Sequence, residues 1–239
     1  MTALIRSELL ALRTLRSTWA VPAVLIALVV VIVTASFADA GSPGLTTPAE
    51  LREILVATAG ILCAVGMALF AATRAAGEYR HNTITHRLLA SPRRAPRLTA
   101  TLLVYGALGV VMASLAAALA ITIAQPMVAA KNLELGLQLQ HVAGIVISVV
   151  VFTLLGLAAG VITRSQPVAV GAIFGLFVAE RLLSVVIGDA AYLPYALLWV
   201  LNGIGGSTMS WSVAALWLTA ITIAAVGLAA ILLKRRDVT

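Results

Sequence analysis

Long apolar runs, separated by short polar segments, dominate this chain. Six runs reach the roughly 20 residues that a helix needs to cross the hydrocarbon core of a bilayer. They lie near residues 18–38, 54–74, 98–125, 141–163, 167–187 and 211–233. A seventh run, 190–200, is too short to span, contains Pro194 and is followed by three glycines. The pattern predicts an all-α integral membrane protein with six transmembrane helices in a single domain, 1–239.

The segment before the first span, 1–17, has an amphipathic helical pattern. Its apolar residues recur at helical spacing on one side and are Leu4, Ile5, Leu12 and Leu15. Arg6 and Arg13 lie together on another side, while Glu8 interrupts the apolar stripe. Such a segment can lie along the headgroup layer. We therefore predict an N-terminal interfacial helix, with a cytosolic extension of the first span as the alternative.

The stretch between the fifth and sixth spans, 188–210, combines glycines with aromatic residues. The aromatic residues of this stretch and of the next helix start are Tyr192, Tyr195, Trp199 and Trp211. Tyr and Trp rings favour the membrane headgroup layer. We predict short re-entrant helices that dip into the outer leaflet, and an ordinary loop with an apolar turn is the alternative.

Composition excludes a soluble protein. Hydrophobic residues make up 62% of the chain and charged residues only 10%, whereas soluble domains carry about 25% charged residues. The mean hydropathy is +1.08. The net charge of +7 does not indicate nucleic-acid binding, because the basic residues lie beside segments of membrane length, where they act as orientation signals.

The distribution of the basic residues predicts the topology. With six spans, 13 of the 16 lysines and arginines fall on one side: three in the first 17 residues, six in 74–97, then Arg164 and three in the tail. The other side carries only Arg52 and Lys131. The positive-inside rule then places both termini in the cytoplasm. A seventh span would put the basic tail outside, so six is the better count.

Residue patterns for catalysis or metal binding are missing from the sequence. Cys63 is the single cysteine, and it lies within an apolar run. His81 and His86 are five positions apart, so they do not share one helix face as metal ligands would. Neither Lys131 nor Lys234 lies in a glycine-rich phosphate-binding motif. We predict a chain that is not an enzyme and binds no metal or cofactor itself.

The loop 75–97, between the second and third spans, is the most informative segment. It has a helix breaker at Gly77, an apolar stripe formed by Ile84, Leu88 and Leu89, and a stop at Ser91-Pro92. A fully solvated helix needs no apolar stripe, so we predict a short amphipathic cytoplasmic helix that docks on another surface. A basic loop attracted to anionic lipid is the alternative.

Several segments resemble the permeases of ABC-2-type transporters, in order along the whole chain. The most specific is Gly77-Glu78-Tyr79-Arg80-His81 with Thr83, followed by Leu88-Leu89-Ala90-Ser91-Pro92-Arg93-Arg94. The others are Ser7-Glu8 with Leu12-Arg13-Thr14-Leu15-Arg16-Ser17-Thr18-Trp19, then Gly160-Val161-Ile162-Thr163-Arg164-Ser165-Gln166, and the closing Leu233-Lys234-Arg235-Arg236-Asp237-Val238. Asn82 stands where this family is expected to have glycine, and asparagine also tolerates positive φ.

The resemblance implies a function and a set of partners. The loop helix would be a coupling helix seated in a groove of a separate cytoplasmic ATPase, which would bind ATP and Mg²⁺. Two permeases, here a homodimer, would combine with two ATPases in a bacterial cell membrane and export a drug-like, antibiotic or lipid-like compound. The implied contacts to the ATPase are Glu78, Tyr79, Arg80, His81, Thr83, Ile84, Arg87 and Leu88, with Ile84 and Leu88 filling the groove.

Two charged residues, Glu180 and Arg181, lie inside the fifth span. At about 1.5 Å per residue they sit roughly 20 Å along the helix, in the outer leaflet. Charges inside a membrane are candidate functional residues, so one of them would line a substrate path or a subunit interface. A structural ion pair is the alternative.

Two other functions fit the sequence less well. One is a non-transporting polytopic protein, such as an immunity or membrane-anchoring subunit. The other is a secondary transporter, for which no broken helix with a midplane ion site is evident.

Overall fold

The computed structural model describes residues 2–14, 16–41, 46–80, 94–187, 192–204 and 209–235, and this part of the chain consists of helices and turns. The helices are α1 (Thr2–Thr14), α2 (Arg16–Ala38), α3 (Pro48–Val56), a π-helical turn (Ala57–Leu62), α4 (Cys63–Arg80), α5 (Arg94–Ala129), α6 (Leu139–Thr163), α7 (Gln166–Ile187), α8 (Pro194–Leu201) and α9 (Trp211–Arg235).

Six helices are long and apolar enough to cross a membrane, which confirms the predicted all-α architecture with six candidate spans. They cover Trp19–Ala38, Pro48–Tyr79, Pro96–Ala129, Leu139–Thr163, Gln166–Val186 and Trp211–Leu233. The second span differs most from the sequence prediction in its length. It has 32 residues, because α3, the π-helical turn and α4 follow one another without a break. The helix α1 occupies the predicted position before the first span, and its placement along the headgroup layer stays a prediction.

A capping box explains the early start of the second span. The Thr47 side chain accepts a hydrogen bond from the Glu50 backbone N–H, and the Glu50 carboxylate accepts one from the Thr47 N–H at 2.9 Å. Pro48 occupies the first turn, where its missing N–H is not needed. The apolar run begins only near residue 54, so hydropathy alone places the start of this helix several residues too late.

The second and fourth spans form the centre of the bundle. In each of them 61% of the residues of the most apolar window are buried, against 17% in α7 and α9. Gly156 and Gly160 of α6 allow the closest approach to α4. A Cβ atom at Gly156 would lie 2.0 Å from the Ala68 carbonyl oxygen, and one at Gly160 would lie 2.4 Å from that of Ala72. Small residues at this spacing let membrane helices pack backbone to backbone.

The helices α2, α7 and α9 lie at the periphery, and each presents apolar side chains outward. On α7, Leu182, Val185 and Val186 are exposed by 64%, 84% and 82%. In water such a surface would be highly unfavourable, whereas in a bilayer it meets the lipid chains. The arrangement is that of a multi-pass membrane protein.

The π-helical turn brings the second span against the short helix α8. Thr58, Ala59 and Gly60 of this turn are buried, and a Cβ atom at Gly60 would lie 2.2 Å from the side-chain oxygen of Asn202. The glycine is therefore required for the close approach of Asn202, which follows α8 directly.

Candidate functional site

Five segments that are distant in sequence meet at one end of the bundle, which we call the basic end. They are α1, the end of α4, the start of α5, the turn between α6 and α7, and the end of α9. Arg97 of α5 contacts Glu8 of α1 and Glu78 of α4, and Tyr79 contacts Arg164 of the turn. The predicted coupling loop belongs to this end, because it joins α4 to α5.

Arg97 is the centre of this end. Its Nη2 donates a hydrogen bond to the Glu78 carboxylate at 2.9 Å, and its Nε lies 3.9 Å from Oε1 of Glu8. The side chains of Arg97 and Glu8 are only 11% and 9% exposed. A charge-assisted hydrogen bond between partly desolvated groups is stronger than one in water. Arg97 therefore ties α1 to both helices that flank the loop 81–93, and we call this group of three residues the Arg97 clamp.

A second set of contacts holds the turn between α6 and α7 against α4. The Arg164 guanidinium lies over the Tyr79 ring, 5.1 Å from its centroid, and the backbone of Arg164 has a left-handed φ of 55°. One residue beyond the turn, the Gln166 side chain donates a hydrogen bond to the Thr73 carbonyl at 3.1 Å. The Thr73 carbonyl group of α4 thus anchors the start of α7.

The structure describes only part of the predicted coupling segment. Glu78 and Tyr79 lie in the last turn of α4, in the contacts just given, and Arg80 is the last residue of that helix. The remaining predicted contact residues lie outside the described residues: His81, Thr83, Ile84, Arg87 and Leu88. The sequence prediction missed Arg97, which was counted only among the loop charges. Glu8 is the one acidic residue in the apolar stripe of α1. Its position could have indicated that α1 contacts a buried basic residue.

Glu180 is buried and binds the backbone of the short helix α8. Its carboxylate accepts hydrogen bonds from the backbone N–H groups of Tyr195 at 3.1 Å and Ala196 at 2.7 Å. These N–H groups belong to the first turn of α8, which has no partner within its own helix for them. A carboxylate at a helix N-terminus also interacts favourably with the helix dipole.

Arg181, the neighbour of Glu180, has different partners. Its guanidinium lies over the rings of Trp199 at 5.1 Å and Phe177 at 5.8 Å, measured to the ring centroids. The side chains of Glu180 and Arg181 thus point to separate partners, instead of forming the ion pair that was one interpretation of the sequence. Both of them contact the segment that follows α7, and this segment was the predicted re-entrant stretch.

Further contacts hold α8 at the opposite end of the bundle from the Arg97 clamp. The Tyr195 hydroxyl donates to the Ile173 carbonyl at 3.0 Å, and burial, with a smaller effect of nearby Glu180, raises the pKa of Tyr195 to about 12. Asn202 donates to Ser148 at 2.9 Å, and the Trp211 indole donates to the Leu201 carbonyl at 3.1 Å. One short helix is described in the predicted re-entrant stretch, and residues 188–191 and 205–208 lie outside the described part.

The described residues contain no candidate metal site. No three His, Cys, Asp or Glu side chains of this part lie close enough together to hold a metal ion. His141 is buried, and its Nδ1 accepts a hydrogen bond from the Gln138 backbone N–H at 3.1 Å. The imidazole ring of His141 therefore helps to cap the N-terminus of α6.

No family model matches the chain, and no curated protein matches it. The resemblance to ABC-2-type permeases thus rests on the sequence segments quoted above, and the function drawn from it is a proposal.

Proposed function

We propose that the chain is the membrane-spanning permease subunit of an ABC transporter of the ABC-2 type. A separate ATP-binding subunit, present in two copies, would bind ATP with Mg²⁺ and dock on the loop 81–93. The permease itself would be a homodimer in a bacterial cell membrane with both termini in the cytoplasm, and it would export a drug-like, antibiotic or lipid-like compound. The observation that carries this proposal is the Arg97 clamp at the base of the loop.

The clamp has the connectivity that a coupling element needs. A force applied to the loop 81–93 reaches α4 through Glu78 and α5 through Arg97, and it reaches α1 through Glu8, because the three side chains are joined. The helix α4 in turn packs backbone to backbone on α6, the other central helix. A rigid contact transmits displacement, whereas a flexible loop absorbs it. The loop is thus connected to the core of the bundle by interactions that resist stretching.

The helix α1 has the surface expected of an interfacial element beside such a clamp. Leu9 and Leu10 are exposed by 52% and 51%, while Glu8 is buried against Arg97. Exposed leucines on a short helix at the end of a membrane bundle favour the headgroup layer. Glu8 shares the buried side of α1 with Leu12, which is 7% exposed, so its buried partner Arg97 accounts for the charge that interrupts the apolar stripe.

The test of the proposal is docking of the ATPase through the apolar pair Ile84 and Leu88. Changing both to Asp should release the ATP-binding subunit, because burying two such side chains contributes about 1.5–3 kcal/mol each. Membrane insertion should be normal, since the change lies in the loop between two spans. The measurement is co-purification of an ATP-binding subunit with the affinity-tagged permease, together with substrate-stimulated ATP hydrolysis.

Helical spacing supplies a matched control for this experiment. Asn82 and His86 lie on the opposite side of the predicted loop helix from Ile84 and Leu88. Changing Asn82 and His86 to Asp introduces the same number of carboxylates and should leave the complex intact. If the Ile84→Asp/Leu88→Asp protein still co-purifies with the ATPase and transports normally, the coupling assignment is wrong. A chain that purifies without any ATPase, in wild-type form, would instead favour a non-transporting membrane protein.

A further inference from the structure

Arg181 is a charged side chain on the outer surface of the bundle, within a candidate membrane span. It lies five residues before Val186, where the fifth span ends, and this is about 7.5 Å inside the span at 1.5 Å per residue. The residue is exposed, whereas charged residues inside membranes usually face the interior of the bundle or a water-filled cavity. A cation that faces lipid at this depth is costly unless an acceptor reaches it.

Two aromatic rings hold the Arg181 guanidinium in place. Its Cζ lies 5.1 Å from the ring centroid of Trp199 on α8 and 5.8 Å from that of Phe177. Phe177 is four residues earlier on α7, so it lies one turn nearer to the bilayer centre. Each ring attracts the guanidinium through its π face. The N–H donors of the guanidinium therefore remain available for an acceptor.

The described part of the chain supplies no acceptor for these donors. Neither a hydrogen bond nor an ion pair within 4 Å joins the Arg181 side chain to another described residue. The adjacent carboxylate, Glu180, is buried and accepts hydrogen bonds from the backbone N–H groups of Tyr195 and Ala196. Part of its negative charge is therefore compensated by the N-terminus of α8. The outward side of the Glu180–Arg181 pair presents donors only.

The surface of α7 next to Arg181 becomes apolar toward the bilayer centre. Val178 and Phe174 precede Arg181 by three and seven residues, so they lie on the same face of the helix. They are exposed by 53% and 50%. A lipid whose phosphate lies at Arg181 has its acyl chains directed toward the bilayer centre, along these two side chains. The order of donors and apolar surface on α7 thus matches the order of phosphate and acyl chain in a phospholipid.

We propose that Arg181 binds the phosphate of an anionic phospholipid in the leaflet opposite the basic end, with an acyl chain over Val178 and Phe174. The guanidinium group matches the geometry of a phosphate, to which it can donate two parallel hydrogen bonds. A second copy of the chain fits this surface less well, because the one carboxylate of its α7 is the buried Glu180. The inference requires only that the chain spans a membrane, and it is independent of the proposed transport function.

The test is quenching of Trp199 fluorescence by brominated lipids, because Trp199 contacts Arg181 directly. The full-length protein, with Trp19, Trp211 and Trp217 replaced by Phe, is reconstituted into vesicles of phosphatidylcholine and phosphatidylglycerol, of which one is brominated on its acyl chains. Phosphatidylglycerol should bind beside Trp199 about fivefold more tightly than phosphatidylcholine, the effect expected of one basic residue on an anionic lipid. Arg181→Gln should abolish this preference, and Arg181→Lys, which keeps the charge, should retain most of it.

Trp217 of α9 is the matched control for Trp199. It is 49% exposed and lies six residues inside the sixth span, which starts at Trp211 at the same end of the bundle. Its ring contacts Tyr192. A protein with Trp217 as its single tryptophan should show no lipid preference. This comparison keeps Arg181 in place, so it decides the matter if Arg181→Gln does not fold.

Four outcomes would overturn the lipid site. The first two are an equal preference at Trp199 and Trp217 and a preference at Trp199 that survives Arg181→Gln. Weak quenching of Trp199 by both brominated lipids would show that a protein surface, such as a second copy of the chain, covers Arg181. Loss of the preference when chloride is replaced by inorganic phosphate at equal ionic strength would assign the site to a free anion.

Discussion

Single glycines set the distance between the two central helices. At Gly156 an added Cβ atom would meet the backbone of Ala68, with its carbonyl oxygen at 2.0 Å and carbonyl carbon at 2.6 Å. Backbone atoms within a helix cannot rotate away as a side chain can, so α4 and α6 would have to separate. We expect Gly156→Ala to lower the stability by about 1–3 kcal/mol or more, the usual effect of overpacking. The measurement is the midpoint of thermal unfolding in detergent, followed by tryptophan fluorescence.

Gly171 of α7 provides a matched control, since it also lies inside a membrane helix. An added Cβ atom there meets no atom within 4 Å. Gly171→Ala should therefore leave the midpoint unchanged or raise it slightly, because alanine is the better helix former by about 0.5–1 kcal/mol. Equal midpoints for Gly156→Ala and Gly171→Ala would mean that α4 and α6 do not pack as closely as described.

The partners of single charged residues were the least predictable part of the site. Glu8, Glu78 and Glu180 stand out in the sequence, but a charge does not reveal which group it binds. For Glu180 the partners are backbone N–H groups of α8, 15 and 16 residues further along the chain. Backbone N–H groups cannot be recognised as partners from the sequence. The sequence therefore offered only the neighbouring charge, Arg181, as a partner for Glu180. Arg97 was hidden among the many arginines of its loop for a similar reason.

At the scale of the element, α8 depends on Glu180 for its N-terminus. The helix has eight residues, which is too short to be stable without tertiary contacts. We expect Glu180→Ala to lower stability by about 1.5–3 kcal/mol, because hydrogen bonds to a charged group are lost and two N–H groups lose their partner. Thermal unfolding in detergent measures the loss, and faster thiol labelling of an introduced Leu197→Cys, normally buried, would locate it to α8.

Arg181→Ala is the comparison for this prediction. Its side chain is exposed and stacks on Trp199 and Phe177, and exposed cation–π contacts contribute about 0.5–1 kcal/mol. The Glu180 hydrogen bonds should persist, so Arg181→Ala should be the milder change of the two. The opposite order would show that Glu180 is held by Arg181 rather than by the backbone of α8.

The six spans were predictable at the element scale because each needs only an apolar run of sufficient length. Their ends were less predictable, since they depend on local interactions that hydropathy does not measure. The start of α3 could have been found from Thr47, Pro48 and Glu50, which match the capping-box pattern. The π-helical turn could not, because nothing in Ala57–Leu62 distinguishes it from ordinary helix. The position of the π-helical turn is explained only by the tertiary structure, in which Asn202 packs against Gly60.

At the scale of the whole molecule, the two ends of the bundle differ in chemistry. One end carries the Arg97 clamp and Arg164, where arginines are joined to carboxylates and tyrosines. At the other end, Lys131 donates hydrogen bonds to the carbonyl oxygens of Ala38, at 2.7 Å, and Ala40. A cation at the C-terminus of a helix interacts favourably with the helix dipole, so Lys131 stabilises the C-terminal end of the first span. Most of the basic segments lie at the first end and few at this one. Such an asymmetry determines the orientation of a membrane protein.

The last prediction concerns that orientation. Thirteen of the 16 basic residues belong to segments at the basic end, so this end should face the cytoplasm. Cys63 is buried and can be replaced by alanine, after which single cysteines are placed at Thr2 and Ser165 of the basic end and at Thr46 and Glu134 of the other. In intact cells an impermeant maleimide should label only Thr46→Cys and Glu134→Cys. After lysis all four should react, which controls for accessibility. Labelling of Thr2→Cys and Ser165→Cys in intact cells would reverse the orientation, and it would also place the loop 81–93 out of reach of a cytoplasmic ATPase.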